Sequence, residues 1–296
     1  MKIYHPALFF ITLSILGCDN KKQQADNEKT SSKLSDTIIN SMVLVKGGEF
    51  LMGDFGPLVG EKIPLSINSD DKKLHKVSLS DFMISKYKVT NKDYNDYLNI
   101  TGKEKLPLGM GKNHPSLLKD DVSVSITWQQ AKDFCLWVGK HSGKKVDLPT
   151  EAQWEYAARS RGLYVAYATD DGTFSRGRNV PTFDDLIVAT DGLYAPYYPV
   201  GKYPENPLGL YDMGLSGSEW TNDWYTPDYY YHSPTKDPQG PEKGSKKVLR
   251  GNIGGDTQYA LTIFRQSALP VPVLEGSKYE EDGISPGYVF RCVVNN

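Results

Sequence analysis

The sequence predicts an α+β domain, rich in loops, with a few helices packed on small antiparallel sheets. Three observations point there. Residues 126–159, ITWQQAKDFCLWVGKHSGKKVDLPTEAQWEYAAR, spell two helices with marked starts. The stretches 42–52, 74–83, 246–250 and 288–294 read as strands. Finally, 27 glycines, 18 prolines and 19 tyrosines in 296 residues suit turns and strands better than a helical bundle. An apolar content of 39% permits a sizeable core, and a net charge of −2 gives no general attraction for polyanions, so no nucleic-acid partner is expected.

Taken in order, the chain opens with Lys2 and an apolar run, Ala7 to Leu16, that is too short to span a bilayer and closes on Ile15-Leu16-Gly17-Cys18. This resembles a bacterial lipoprotein signal, which implies removal of 1–17 and acylation of Cys18; the other reading is an ordinary secretory signal in which Cys18 is incidental. Asp19 resembles the inner-membrane retention signal of enteric lipoproteins. The expected location is the cell envelope, with the chain anchored by lipid in the periplasm. Residues 18–41 are polar and nearly free of aromatic side chains, so they are expected to form a flexible tether. One folded domain is expected over 42–296, and a product started at Met42 would be an unlipidated form of it.

MVLVKGGEFLM at 42–52 alternates around Gly47-Gly48 and predicts a strand, a turn and a second strand; LHKVSLSDFM at 74–83 alternates again. Thr90 predicts the start of a helix that carries Tyr94, Tyr97 and Leu98 on one face. Thr127 with Gln130, and Thr150 with Gln153, are capping-box pairs that mark the starts of two further helices. In the first of these Trp128, Ala131, Phe134, Cys135 and Val138 share a face, and Gly139 suits its end. About fifty residues after Arg161 lack periodicity, and an irregular stretch of that length needs a metal, a disulfide or a partner to stay ordered. Asn179, Asp191, Asp212 and Glu219 are oxygen donors there, a set that suits calcium rather than zinc or reads equally as solvated loop polars. Besides Cys18, the only cysteines are Cys135 and Cys292. In an oxidising compartment they form a bridge or remain two separate buried thiols; a bridge would close a loop of about 160 residues and contribute about 4–5 kcal/mol. No two histidines stand at helical metal-ligand spacing, and no nucleophile elbow, phosphate loop, dinucleotide fingerprint or CxxC pair is present.

Several segments, in this order, resemble the formylglycine-generating enzyme, or sulfatase-modifying factor, family: MVLVKGGEFLMG at 42–53, YKVTNKDY at 87–94, SITWQQAKDFCLWVGK and LPTEAQWEYAAR within 125–159, NPLGLYDM at 206–213, EWTNDW at 219–224, VLRG at 248–251 and FRC at 290–292. The resemblance covers nearly all of 42–296 and implies a variant of the C-type lectin fold, with Cys135 paired to Cys292. It implies two calcium sites. The first maps to the side chains of Asn179 and Asp191 with the carbonyls of Val180 and Leu193. The second maps to Asp212 and Glu219 with the carbonyls of Leu215 and Gly217, although 215–220 reads LSGSEW where the family has GNVWEW.

The resemblance fails at the chemistry. Family oxidases bind copper through two cysteines five apart, and the corresponding positions here are Asp256 and Leu261, with Arg265 on a matching arginine. A carboxylate and a leucine cannot reproduce a soft two-sulfur site, so no copper is expected. Three functions remain: a tethered binding protein, most sharply an immunity protein against a secreted toxin such as a type VI lipase; an enzyme of the wider family using a different site around Asp256 and Arg265; and a structural lipoprotein of an envelope machine. For the first, Trp224, Tyr225, Tyr229, Tyr230 and Tyr231 are the expected partner-binding residues, unless they pack beneath their own loops.

Overall fold

The computed structural model describes residues 15–193, 197–252, 257–271 and 287–296, with the backbone alone for 15–26 and 109–110. Helix α1 runs from Ile15 to Asn40. Strands β1 (Met42–Val45) and β2 (Gly48–Met52) follow, then β3 (His75–Leu79), β4 (Phe82–Ser85), α2 (Asn91–Thr101), α3 (Trp128–Ser142), β5 (Lys145–Asp147), α4 (Glu151–Ala158) and α5 (Phe183–Ala189). The chain ends with β6 (Ser218–Trp224), β7 (Lys247–Arg250), β8 (Arg265–Ala268), β9 (Tyr288–Val289) and β10 (Val293–Asn295).

These strands form three small sheets, ordered β1-β4-β10-β5, β2-β3 and β8-β7-β6-β9. All pairings are antiparallel except β6 with β9, which is parallel. The stretch 42–52 does hold two strands, but they separate: β1 pairs with β4 and β2 with β3. The alternation at 74–83 likewise divides into β3 and β4, which serve different sheets. At the C-terminus 288–294 is broken, because Phe290, Arg291 and Cys292 leave the strand conformation between β9 and β10 and turn fully inward.

All three predicted helix starts carry reciprocal capping boxes: Thr90 with Asp93, Thr127 with Gln130, and Thr150 with Gln153. A fourth, Thr182 with Asp185, starts α5 inside the stretch expected to be irregular. The end of α3 differs from expectation. Gly139 lies within the helix, where a Cβ would come 2.9 Å from the Lys144 carbonyl, so its bareness serves close packing against the approach to β5. Termination falls to Gly143, at φ 68°.

The expected tether of 18–41 is a correction. Its backbone is helical from 18 to 40, and Ser31, Ser35, Ile38 and Ile39 are buried where the helix meets the cluster that contains Tyr94, Tyr97, Phe134 and Val138. A few apolar side chains on one face suffice to dock a helix whose remaining surface is polar. Cys18 lies in the part of α1 for which only the backbone is described, and no helix among the described residues is long and apolar enough to cross a membrane. In the same cluster Cys135 of α3 is bonded to Cys292, with a Cα–Cα distance of 5.6 Å.

Candidate functional site

The centre of the molecule is α4, in which every residue from Glu151 to Ala158 is buried. Trp154, Ala157 and Ala158 pack on the sheets, while Glu151 and Glu155, one turn apart, carry two carboxylates into the interior. Glu151 Oε1 accepts hydrogen bonds from Arg250 (2.8 Å), Arg265 (2.7 Å) and the Tyr230 hydroxyl (3.1 Å). Glu155 Oε2 accepts from Arg250 at 2.8 Å, and its Oε1 accepts from Arg159 at 2.8 Å and from the Gly53 amide at 3.0 Å. Burial by itself would raise the Glu151 carboxyl, but Arg265 and Arg250 hold it below the usual range. These ion pairs make the cluster a brace between α4, β7 and β8, in which the Arg250 Nε alone of the guanidinium nitrogens of Arg250 has no hydrogen-bond partner among the described residues. These residues were not singled out from sequence. The signal was available: two acids four apart in a helix whose other residues are aromatic and small.

The two positions that correspond to the copper-binding cysteines fare differently. Asp256 lies outside the described residues. Leu261 is buried with Phe55, Ile263 and Phe264, and its backbone bridges to Tyr167. A leucine side chain offers no lone pair, and its neighbours are apolar, so this position does not fit a copper site. Arg265, expected beside such a site, is turned inward to Glu151 instead.

The residues expected to hold the first calcium ion are each engaged with other partners. Asn179 Oδ1 accepts from the Ser175 amide while its Nδ2 donates to Asp170 and to the Thr173 carbonyl. Asp191 accepts from both the amide and the hydroxyl of Ser116. The Val180 carbonyl accepts from the Gly177 amide, and that of Leu193 from the Thr190 hydroxyl. Among the described residues no three His, Cys, Asp or Glu side chains gather as a metal set.

Of the second set, Leu215, Gly217 and Glu219 converge, but on a lysine, while Asp212 accepts from the Gly201 amide at 2.8 Å. Lys88, with its side chain fully buried, donates to the carbonyls of Leu215, Ser216 and Gly217, the last two at 2.9 Å, and stands 3.8 Å from Glu219 Oε1. Burial pushes its ammonium down to about 8, with Glu219 and Asp212 pulling the other way; donation to three carbonyls takes all three protons of the charged form. Glu219 also accepts from Arg291 through both oxygens, at 2.6 and 3.0 Å. As it stands this set does not fit an open calcium site.

The aromatic residues expected to bind a partner are largely occupied within the fold. Tyr230 is buried on Glu151, the Tyr225 hydroxyl donates to Asp70 at 2.8 Å, and the Tyr229 hydroxyl accepts from the Gly240 amide. The Trp224 ring stacks on Trp128, with the Lys247 ammonium within 3.8 Å of both ring centres. Only Tyr231 among the five is exposed, at 62%. Sequence reasoning missed a cleft of about 420 Å³ between α2 and the loop 105–118. Asn91, Asn95 and Asn99 line it at one-turn intervals along α2, Leu106, Leu108 and Leu118 line the opposite side, and the buried Tyr197 hydroxyl has no hydrogen-bond partner among the described residues.

Comparison with known proteins agrees with this architecture. The structure of PvdO from Pseudomonas aeruginosa superposes with a TM-score of 0.67 at 24% identity, covering 86% of this chain and 94% of that one. A formylglycine-generating enzyme of Streptomyces coelicolor is 30% identical over 254 residues, which are 71% of this chain and 77% of the enzyme. The serine/threonine-protein kinase Pkn1 of Chlamydia pneumoniae is 32% identical over 276 residues, 87% of this chain, and the chain spans only 38% of that relative's length. The sulfatase-modifying factor enzyme 1-like domain model matches residues 27–295, beginning inside α1 where the helix docks, and the chain belongs to that family.

Proposed function

We propose that this chain is a binding protein built on an oxidase scaffold: a periplasmic domain, held to the membrane through an acylated Cys18, that captures a partner protein. The observation that carries the reading is Leu261, seated among Phe55, Ile263 and Phe264 where a copper thiolate would be needed, in a chain whose Cys135 and Cys292 are consumed by each other. With no thiolate to offer, the scaffold has shape and surface to work with. The sharpest version of the reading is an immunity protein that neutralises a secreted, lipase-like toxin.

The cleft beside α2 is the surface best suited to the partner. Its volume is in the range of specific pockets, its apolar side would take aliphatic or aromatic side chains, and Asn95, Asn99 and Tyr197 supply polar groups for an extended segment. The Tyr-rich loop 225–231 contributes Tyr231 at most. Two assays on the full acylated chain test the reading. Incubated with copper and a sulfatase peptide, it should leave the cysteine thiol unchanged; conversion to the aldehyde would overturn the proposal. Producing the chain should protect cells against a lipase toxin delivered to their periplasm, and a bulky substitution at an exposed position of the cleft, Asn95→Trp, should abolish protection. Protection that survives this substitution would move the interface elsewhere.

A further inference from the structure

Three consecutive carbonyls, of Leu215, Ser216 and Gly217, point at one spot in the interior. The backbone achieves this only with Ser216 at φ 57° and Gly217 at φ 99°, and a Cβ on Gly217 would come 3.0 Å from both the Gly287 carbonyl and the Val289 side chain. Converging carbonyl dipoles repel one another and are satisfied by donors or a cation between them. We propose that Lys88 is a built-in cation that takes the place of a divalent metal ion here, so that 212–219 closes without calcium and becomes a calcium site when the amine is removed.

Charge and chemistry both support this. The Glu219 carboxylate already meets two cations, Lys88 at 3.8 Å and Arg291 through both oxygens, while Asp212 accepts from the Gly201 amide and lies close enough to feel both; calcium added beside Lys88 would bring two further positive charges into a buried space. The donors are all hard oxygens, mixed carbonyl and carboxylate, which is the set calcium prefers. The ammonium lies 2.9 Å from the Ser216 and Gly217 carbonyls, whereas a calcium ion would draw its ligands to about 2.4 Å, a contraction that a loop can make. Lys88 reaches the spot from the segment between β4 and α2, whose neighbouring Val89 is pinned by backbone bonds to Phe290 and Val124. A flexible side chain is thereby delivered from a rigid base.

The test uses the full chain in detergent micelles, melted in chelator and in millimolar calcium chloride, with calorimetric titration of calcium. Every variant also carries Asp191→Asn, so that the other candidate oxygen set cannot respond. With Lys88 present, the melting temperature should be the same in both buffers and no heat of calcium binding should appear. Lys88→Ala should lose about 10 °C in chelator, from unsatisfied carbonyls, and regain at least half of it in calcium. Lys88→Met, which fills the space with an apolar chain, should lose stability and regain none. Calcium stabilising the chain that retains Lys88 would overturn the proposal. So would Lys88→Ala recovering nothing in calcium, whether that variant folds in chelator or not.

Discussion

Asp223 links the interior to pH. It is buried beneath α4 and accepts a hydrogen bond from the Glu151 amide; burial first, and the Glu151 charge second, push its carboxyl from the ordinary 3.8 up to about 7. Between those values the folded chain holds a proton that the unfolded chain has released. This group's contribution to stability is therefore complete below about pH 4 and is lost as pH rises through about 7. Asp223→Asn keeps the accepting oxygen without the titration, so its stability, measured by urea unfolding from pH 4.5 to 8, should fall less steeply with pH than that of the parent. The neighbouring arginine shows the opposite sensitivity. Removing Arg250 leaves Glu151 and Glu155 short of a partner in a site with no water-exposed surface, and Arg250→Ala should cost about 3–5 kcal/mol in the same unfolding assay. Replacing a rim residue such as Lys46, whose ion pair with Asp81 is largely exposed, should change stability by less than about 1 kcal/mol.

Among the elements, the helices were the most legible in sequence because their starts are written in local chemistry: a threonine and its partner three residues on need no tertiary information. The capping box at Thr182 is written in the same chemistry, but the seven residues of α5 are too few for a periodic pattern to emerge beside it. Strand partners were not legible, since β1 and β2 adjoin in sequence yet pair in different sheets. Nor was the role of Lys88, because the carbonyls it meets lie about 127 residues away and main-chain groups leave no mark on composition. Helix α1 departs furthest from expectation, because its polar composition masks the three residues that dock it: Leu34, Ile38 and Ile39. A chain started at Met42 would expose the faces of α2 and α3 that these residues cover. We expect the 42–296 fragment to be less stable than 27–296 by about 3–6 kcal/mol, read from paired denaturation curves. Equal stabilities would mean that the docked helix contributes nothing.

At the level of the whole molecule, the scaffold is tied at two long-range points, the Cys135–Cys292 bond and the β10 strand that lies between β4 and β5. The last residues of the chain thus complete the sheet begun by its first strand, and the bond clamps them onto α3. Cys135→Ser with Cys292→Ser should lower stability by about 2–5 kcal/mol while preserving the fold, as judged by melting and by unchanged far-ultraviolet dichroism. The continuous run of α1 bears on how the molecule would sit in an envelope. If an acyl chain is attached at Cys18, the link to the domain is no slack cord but a helical post, about 33 Å from Cys18 to Asn40 at 1.5 Å per residue, seated at its upper end on α2 and α3. Such a post would fix the height at which the domain stands above the bilayer and limit its swivel, so a partner would be met at one altitude and in a narrow range of poses.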